Sequence, residues 1–443
     1  MPVTAAILVP HPPLIIPAVG KGQQRRIQKT IDSYREAMAF LTQFPLDAAV
    51  IISPHAPVYA DYFHISGGTG ACGDFSRFGA RETKAAAVYD EALAKDIAAF
   101  AGERGLPAGP LVRHGDDGLD HGSLVPLLFL GERAPKLPIV RMGVSGLPAL
   151  THYRLGQCIE SAAGKKRVAV IASGDLSHRL KADGPYGLAP EGPALDRAIL
   201  EALREGDFLK LLALPDPLLE KGCACGVGSL LIMAGALDAR GVTSSVLSYE
   251  DTYGVGYAVA TFLPDAADET RGFGDRYETE RQQEALRMHA DEDAYVRLAR
   301  QAVTARVSSG KTIAPPEGLP GDLLRDRAGV FVSLHQYGQL RGCIGTIAPT
   351  TPCIAQEIIQ NAISAATRDS RFHPVAEEEL PTLTIKVDVL TPPEPIADIA
   401  QLDPARYGVI VKAGTRSGLL LPDLDGVDTA KRQVAIAMQK AGI

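Results

Sequence analysis

The sequence predicts an α/β protein with two domains, a mostly parallel sheet flanked by helices and then a smaller α+β fold. Three observations predict this. The chain has 443 residues, which is too long for one hydrophobic core at about 150 residues per domain. Over the first 265 residues, short apolar runs alternate with helical patterns. A polar, charged and glycine-containing stretch then separates this part from the remainder.

The strand candidates of the first part are short apolar runs bounded by turn residues. They are AAILVP (5–10), DAAVIIS (47–53), LPIVRMGV (137–144), KRVAVIAS (166–173), TSSVLSYE (243–250) and GYAVATFL (256–263). Helical patterns lie between them, for example over residues 87–105 and 192–214. Continuous apolar strands that alternate with helices indicate a mostly parallel sheet covered on both faces. A turn-rich segment joins the last two runs, so we expect these to form an antiparallel edge hairpin.

Composition predicts the domain boundaries. We expect a first domain over residues 1–265, a linker over residues 266–284 that runs into a helix, and a second domain over residues 285–443. The sequence stops at KAGI, in a helix pattern near a C-cap glycine. We therefore expect the second domain to be short at its C-terminus.

Charge and composition exclude several classes of protein. The net charge is −7, and no block of Lys and Arg is present, so neither nucleic acid nor a membrane surface is an expected partner. No apolar run approaches the ~20 residues of a membrane helix, and the N-terminus lacks signal-peptide features. We expect a cytoplasmic protein. Six cysteines in such a chain favour core, metal or catalytic roles over disulfides.

Three histidines share one arrangement, in which an apolar strand is followed by a short turn and then by the histidine. They are His11, His55 and His178. Because the exits of parallel strands lie at one edge of a sheet, where open α/β sheets bind ligands, we expect the three imidazoles to meet in one crevice. For each histidine the alternative is a surface loop or a hydrogen-bonded core position.

The segment HGDDGLDHGSLVPLLFL (114–130) contains two further histidines. Its Asp-His-Gly-Ser opening before an apolar run predicts a helix N-terminus, with Asp120 or Ser123 as the cap. His121 then lies at the positive end of the helix dipole, which disfavours its protonation. A simple capping turn is the alternative. His114, beside an arginine and two aspartates, is expected in a solvated loop.

The segment EKGCACGVGSLLIMAGAL (220–237) places a Cys-x-Cys before an apolar helix. A cysteine at a helix N-terminus has a lowered pKa and is more thiolate-like. A thiolate beside two imidazoles makes a three-ligand metal site with open positions for substrate or dioxygen. The alternative is that both cysteines are buried packing residues.

In this order, VPHPPL, ISPHAP, LDHGSLVPLLFL, SGDLSH and CACGVGSLLIMAGAL resemble the class III extradiol dioxygenase (LigB-type) superfamily, its Memo branch included. The resemblance covers nearly all of residues 1–265. It implies one metal at the sheet edge, most often Fe(II), with Cu or Zn as the other options. It also implies roles for five residues: His11 and His55 as metal ligands, His178 as the acid/base, His121 as a second-sphere or substrate contact, and Asp175 as a neighbour of the site.

The third metal ligand departs from the ring-cleaving members, which use a glutamate. The matching stretch offers Cys225, as Memo-type proteins do, and Glu250 of the predicted hairpin is a rival. A thiolate is softer than a carboxylate and favours Cu(I), Zn or Fe. The resemblance implies an oxidoreductase with extradiol dioxygenase-type chemistry on a small aromatic diol. Cys225 as the third ligand favours the alternative, a metal-binding or redox adaptor without turnover.

Three stretches of the second half resemble the AMMECR domain over about residues 285–443. They are LRGCIGTI (340–347), the helix, turn and strand of residues 361–396, and GVIVKAGTRSGLLLPDL (408–424). A LigB- or Memo-like domain fused to this domain resembles the protein A family of the AmmeMemoRadiSam system, which implies a radical-SAM partner protein. The fusion also suggests a third option, a protein-modifying enzyme whose second domain supplies the substrate. A homo-oligomer is compatible with all of these.

Arg341 and Cys343 flank Gly342 and are the candidate cleft residues of the second domain. Glycines there permit a tight turn that exposes the thiol beside the guanidinium, which favours the thiolate. The alternative is that Cys343 packs inward and Arg341 pairs with an acid. A polar cluster after the predicted helix could face the same cleft, and it consists of Arg368, Asp369, Arg371 and His373.

Overall fold

The computed structural model describes residues 2–110, 118–424 and 426–443. The chain divides into two compact units, one ending at Glu280 and one starting at Arg281. His114, predicted in a solvated loop, lies outside the described residues. Within the described part, no helix combines the length and the apolar character needed to cross a membrane.

The first unit alternates strands and helices. Its strands are β1 (Val3–Val9), β2 (Ala48–Ser53), β3 (Phe63–His64), β4 (Gly70–Phe75), β5 (Ala80–Val88), β6 (Ala108–Gly109), β7 (Ile139–Gly143), β8 (Val168–Ser173), β9 (Arg240–Glu250) and β10 (Tyr257–Ala267). Its helices are α1 (Pro17–Gly20), α2 (Gln28–Thr42), α3 (Glu91–Glu103), α4 (His121–Gly131), α5 (Ala149–Ala163), α6 (Glu191–Glu205), α7 (Phe208–Leu212), α8 (Asp216–Gly222) and α9 (Val227–Gly235).

Six of these strands form one sheet in the order β7-β2-β8-β1-β10-β9. Strands β7, β2, β8 and β1 are parallel, whereas β10 runs antiparallel to β1 and pairs with β9 as an antiparallel edge hairpin. The predicted mostly parallel sheet and its edge hairpin are confirmed. Successive residues of β1 pack into different apolar cores, with Ile7 on one face and Leu8 on the other. Burial on both faces explains why the strands read as continuous apolar runs.

The predicted linker, residues 266–284, contains regular structure. It holds the end of β10, a 3₁₀ turn over Glu269–Arg271 and the first part of α10 (Phe273–Ala290). Most residues of α10 are exposed or half-buried, which explains the polar composition of this stretch. Where the two domains divide stays a prediction.

The second unit is a smaller α+β fold, as predicted. Its helices are α11 (Ala294–Ser309), α12 (Gly321–Arg325), α13 (Ile354–Thr367) and α14 (Ala430–Ala441), and its strands are β11 (Val330–Gln336), β12 (Gln339–Gly345), β13 (Leu383–Val389), β14 (Val409–Ala413) and β15 (Arg416–Leu420). Strands β12, β11 and β13 form an antiparallel sheet, and α11 and α13 share its apolar core. Strands β14 and β15 form a separate hairpin.

Candidate metal centre

Three neighbouring parallel strands each deliver a polar side chain two residues after the strand ends. His11 follows β1, His55 follows β2 and Asp175 follows β8. Strand β8 lies between β1 and β2, and the last residues of β1 and β8 pair in register. The three side chains therefore emerge at the same edge of the sheet, where open α/β sheets bind ligands.

His11, His55 and Cys225 bring nitrogen and sulphur atoms together at this edge. The Nε2 atoms of His11 and His55 lie 3.1 Å apart, and Cys225 Sγ lies 3.6 Å from His11 Nε2. All three donor atoms lie within 4.8 Å of one another. His11 is buried, Cys225 is half-buried and His55 is exposed. Three imidazoles are expected to meet in one crevice: His11 and His55 share one donor group with Cys225, whereas His178 shares a second group with Cys225 and Asp175. The role of His11 and His55 as metal ligands stays a prediction.

Ser173 at the end of β8 orients the ring of His11. The Ser173 hydroxyl donates to the carbonyl oxygen of Gly122 at 2.6 Å, and its oxygen lies 3.0 Å from His11 Nδ1. Because the single hydroxyl proton points at Gly122, His11 Nδ1 must be the donor in the second contact. His11 Nε2 then carries a lone pair directed at the crevice. This is how ligand histidines are commonly held by their surroundings.

Asp175 and His178 form a second group with Cys225, whose donor atoms also lie within 4.8 Å of one another. Asp175 Oδ1 accepts from the main-chain N–H of His11 at 2.9 Å, and burial raises the pKa of Asp175 to about 6. The Nε2 atom of His178 is buried and has no hydrogen-bond partner within the described part of the chain. Burial lowers the pKa of His178, and its ring lies 5.0 Å from that of Tyr186.

Two glycines allow the loops that carry Asp175 and Cys225 to meet. A Cβ atom on Gly174 would lie 2.2 Å from the Cα atom of Gly226, so the two backbones pack without side chains between them. The N–H of Gly226 donates to the carbonyl oxygen of Asp175 at 2.9 Å, and the N–H of Asp175 donates to Cys225 Sγ at 3.3 Å. This contact fixes the thiol beside the carboxylate.

His121 is the first residue of α4, and Asp120 is its N-cap, as one of the two predicted options had it. Asp120 Oδ1 accepts from the N–H of Ser123 at 3.0 Å. The His121 ring lies 4.2 Å from the His55 ring and 5.3 Å from the His11 ring. Burial, and then the neighbouring imidazoles, lower the pKa of His121 to about 3. His121 is therefore neutral, as expected, and burial is the main cause.

Sequence reasoning missed the buried ion pair beneath the site. Arg141 of β7 donates to Asp120 through Nη2 at 2.7 Å and Nε at 3.2 Å, and Ser53 Oγ donates to Asp120 at 2.6 Å. Burial alone would raise the pKa of Asp120, but Arg141 and these hydrogen bonds lower it to about 2. Ser53 also accepts from the N–H of His55 at 3.2 Å. The signal in the sequence was an arginine inside an apolar strand, LPIVRMGV.

The expected lowering of the Cys225 pKa is wrong. Burial, and then the charge of Asp175, raise the pKa of the Cys225 thiol far above its usual range. Helix α9 begins only at Val227, so the dipole that would favour a thiolate starts beyond Cys225. A cation bound at the site would have to displace the thiol proton.

Glu250, the rival third ligand, is engaged elsewhere. Its Oε2 accepts from the N–H and the hydroxyl of Thr30, at 2.7 and 2.6 Å, near the start of α2. Glu250 belongs to neither donor group among the described residues. It sits at the end of β9, the outermost strand of the sheet.

In the second unit, Arg341 pairs with an acid. Its Nε and Nη2 donate to the two carboxylate oxygens of Glu379 at 2.7 and 3.0 Å, and Nη1 donates to the carbonyl oxygen of His373 at 2.8 Å. Asp369 accepts from the N–H of Cys343 at 2.8 Å and is paired with Arg371 at 2.6 Å. The half-buried Cys343 and two members of the predicted polar cluster thus meet, and their role in a cleft stays a prediction.

The residues of the first unit fit a bound cation. Three donors from separate segments leave coordination positions open, as in catalytic metal sites. Two imidazole nitrogens with a sulphur suit a cation of borderline softness, such as Fe(II), Zn or Cu. The side chain of His178 adds another imidazole beside Cys225, and its buried Nε2 has no hydrogen-bond partner within the described part of the chain.

Comparison with known proteins finds matches to both parts of the chain. Residues 5–260 match the family described as the catalytic LigB subunit of aromatic ring-opening dioxygenase, and residues 296–443 match AMMECR1. The chain is 35% identical over 452 residues to the protein CA_C1420 of Clostridium acetobutylicum, with 98% of this chain and 94% of that protein covered. It is also 54% identical over 153 residues to a protein of Thermotoga maritima, with 34% of this chain and 88% of that protein covered.

The solved structures that are similar to parts of the chain include two uncharacterized proteins. One is the uncharacterized protein PH0010 from Pyrococcus horikoshii, with 39% identity and a TM-score of 0.32, covering 34% of this chain and 78% of that chain. The other is the uncharacterized protein JW3007 from Escherichia coli K12, with 16% identity and a TM-score of 0.39, covering 59% of this chain and 99% of that chain. By its sequence match over residues 5–260 and its near full-length relative, the chain belongs to the LigB family, and it carries an AMMECR1 domain after it.

Proposed function

We propose that the LigB domain is a metal-dependent oxidoreductase that acts on a small aromatic diol. One observation carries the proposal: His11, His55 and Cys225 present donor atoms to one point, beside the titratable side chains of Asp175 and His178. A cation site flanked by proton-carrying groups is what diol chemistry requires. The family match supports the same reaction class.

We propose a single divalent metal at the site, Fe(II) first, with Zn and Cu as the other options. When bound, the metal supplies Lewis-acid and redox chemistry toward the diol and dioxygen. His11 and His55 hold it through neutral imidazole nitrogens. The thiolate of Cys225 contributes the negative charge that a carboxylate contributes in ring-cleaving relatives.

The protein's own residues handle the protons. The lowered pKa of His178 keeps the imidazole neutral at neutral pH, so it accepts a proton from a diol hydroxyl. The carboxylate of Asp175 favours the imidazolium that results, since its charge raises the His178 pKa. His121 remains neutral beside His55 and offers the substrate a hydrogen bond. His178 is thus the acid/base of the proposed reaction.

The test measures product formation after the protein has been loaded with a known metal. The full chain is reconstituted anaerobically with Fe(II), mixed with a panel of catechols and then exposed to dioxygen, while ring-opened products and oxygen uptake are followed. We expect product in the wild type, a loss of about 10²–10⁴-fold in His178→Asn, and loss of both metal and product in His11→Ala. A wild-type protein that binds iron but opens no ring with any catechol contradicts the oxidoreductase proposal.

A metal-binding or redox adaptor is the second candidate, and one observation favours it. The third donor is the thiol of Cys225, and Glu250 is held at Thr30. Soft thiolate ligation is typical of metal handling as well as of catalysis. The adaptor predicts stoichiometric metal that exchanges with a partner or a chelator, without turnover. The same reconstitution experiment therefore distinguishes the two candidates.

We also propose a radical-SAM protein as the partner. Its support is the combination of a LigB domain with an AMMECR1 domain in one chain. Co-purification of the full chain with radical-SAM proteins of the same genome tests it. Failure to form any complex with these proteins contradicts it.

A further inference from the structure

The two donor groups at the sheet edge share one atom. Cys225 Sγ belongs to the group with His11 and His55 and also to the group with Asp175 and His178. Within each group, the donor atoms lie within 4.8 Å of one another. Among the described residues, the five donor atoms do not form one group in which every pair lies within this distance.

The metal–ligand bond lengths set the largest separation between two donor atoms that bind the same ion. Bonds from zinc to imidazole, carboxylate and thiolate ligands are about 2.0–2.3 Å, so two donors on one ion are at most about 4.6 Å apart. The donor atoms of each group of three lie within 4.8 Å of one another, near this limit, whereas the five donor atoms do not all lie within that distance. The arrangement therefore corresponds to two neighbouring spheres that share a sulphur atom.

Two members of the second group, Asp175 and His178, keep hydrogen-bonding capacity that no other group uses within the described part of the chain. The carboxylate of Asp175 accepts from the His11 N–H through Oδ1, which leaves Oδ2 for another contact. His178 Nε2 is buried and has no hydrogen-bond partner in the described part of the chain. A buried polar atom without a partner costs free energy, which a bound cation would recover.

We propose that Asp175, His178 and Cys225 form a second cation site, bridged to the first through the thiolate, for a divalent ion of borderline softness such as Zn²⁺ or Co²⁺. The inference rests on the proposed function in one respect, since Cys225 must already ligate the first ion. The second ion binds more weakly, because it approaches another cation and shares the charge of one thiolate.

The second site has a consequence for the proposed reaction. When it is filled, Asp175 and His178 are ligands and no longer carry protons. A second equivalent of metal is therefore inhibitory, and the protein works only when the second site is empty. The same side chains serve as proton carriers at low metal and as an inhibitory site at high metal.

Titration of the metal-free full chain with Co²⁺ alone tests the inference. Thiolate-to-cobalt absorption reports ligation by Cys225, and metal analysis after removal of free ion gives the stoichiometry. We expect two equivalents in the wild type, with the absorption rising on both. Asp175→Asn and His178→Asn should each stop at one equivalent. Asparagine at position 175 can still accept from the His11 N–H, and the main-chain N–H of His178 still reaches Cys223.

Cys343→Ser is the matched control, a cysteine change in the other unit that should leave both equivalents in place. One equivalent in the wild type, unchanged in Asp175→Asn, overturns the second site and leaves the proposed function intact. A second equivalent that persists in both variants also overturns it, because the ion is then held elsewhere. No cobalt bound to the wild type contradicts the proposed function itself.

Discussion

The Nε2 atoms of His11 and His55 lie 3.1 Å apart, although the strands that precede them are separated by a third strand. Burial, and then the charge of His55, lower the pKa of His11 to about 3, so its ring is neutral at neutral pH. Two imidazole nitrogens at this distance either share one proton or direct two lone pairs at a cation. Ser173 selects the tautomer of His11 that leaves Nε2 unprotonated, which prepares the second arrangement.

Ser173→Ala should weaken metal binding without removing a ligand. The change leaves His11 Nδ1 without its acceptor and frees the ring to adopt the other tautomer, so we expect a 10–100-fold loss in affinity. Competition with a metal-sensitive dye measures it. Ser248→Ala is the control, since Ser248 is also a buried strand serine but its hydroxyl has no hydrogen-bond partner among the described residues. Equal affinities in the two variants would contradict the role of Ser173.

Metal binding should release a proton from Cys225. Burial and Asp175 raise the pKa of this thiol, so it is protonated at neutral pH before metal binds. Because the ion displaces that proton, affinity should rise with pH by up to about tenfold per unit. Calorimetric titration in buffers of different ionisation enthalpy counts the proton. Cys225→Ser should abolish the release, whereas Cys353→Ser should keep it. An affinity that is flat between pH 6 and pH 8 would argue against thiolate ligation.

Asp120→Asn should destabilise the first domain by about 3–5 kcal/mol, because it leaves the buried guanidinium of Arg141 without its counter-charge. Asparagine remains a good N-cap, so the effect reports the charge and not the cap of α4. Urea-induced unfolding of the full chain measures it. Asp47→Asn, which breaks the more exposed pair with Arg167, is the control and should cost much less. A similar decrease in the free energy of unfolding in both variants would mean that the buried ion pair stabilises the protein no more than the exposed pair does.

The carboxylate of Asp120 should also make the stability of the protein depend on pH in the acid range. The folded-state pKa of Asp120 is about 2, below its ordinary value of 3.8, so its ionised form is favoured by folding. Its contribution is fully present above the ordinary value and is lost as the pH falls toward 2. The stability difference between wild type and Asp120→Asn should therefore shrink over this range. A constant difference from pH 5 down to pH 2.5 would contradict the depressed pKa.

The sheet and the histidines could be predicted because both leave local signals. A parallel strand buried on both faces is continuously apolar, and the residues after it, such as His11 and His55, can be read directly. The supporting contacts could not be predicted in the same way, since they join distant segments. His11 and Ser173 are 162 residues apart, and Ser53 and Asp120 are 67 apart. Only Arg141, a charge inside an apolar run, carried a local hint of its pairing.

The pKa of Cys225 illustrates a second limit of sequence reasoning. Nearness to a helix start is visible in the sequence, but the degree of burial and the position of Asp175 are not. Burial and then the Asp175 charge raise the pKa of the thiol, and the helix begins only at Val227, beyond Cys225. Glu250 is a similar case, because its place at the end of an outer strand and its contact with Thr30 depend on strand order.

Glu357→Gln should loosen the second domain locally. The buried carboxylate accepts from the N–H and hydroxyl groups of Thr350 and Thr351 and from the hydroxyl of Thr346, and these bonds lower its pKa to about 2 although burial opposes them. The NH2 group of glutamine cannot accept a hydrogen bond, so some of these threonine donors would lose their acceptor, which should cost about 1–3 kcal/mol. Hydrogen exchange in peptides covering residues 346–357 measures it. Glu378→Gln, at an exposed position, is the control, and unchanged protection in Glu357→Gln would contradict the prediction.

Gly174→Ala should separate the loops that carry Asp175 and Cys225. A Cβ atom at this position would lie 2.2 Å from the backbone of Gly226, which no side-chain movement relieves. The N–H···S contact from Asp175 to Cys225 should break, and cobalt should bind without thiolate-to-cobalt absorption. Gly102→Ala in α3 is the control, because its Cβ meets no atom within 4 Å and alanine favours a helix. A Gly174→Ala protein that is folded by circular dichroism and keeps the full thiolate absorption would show that this backbone contact does not position Cys225.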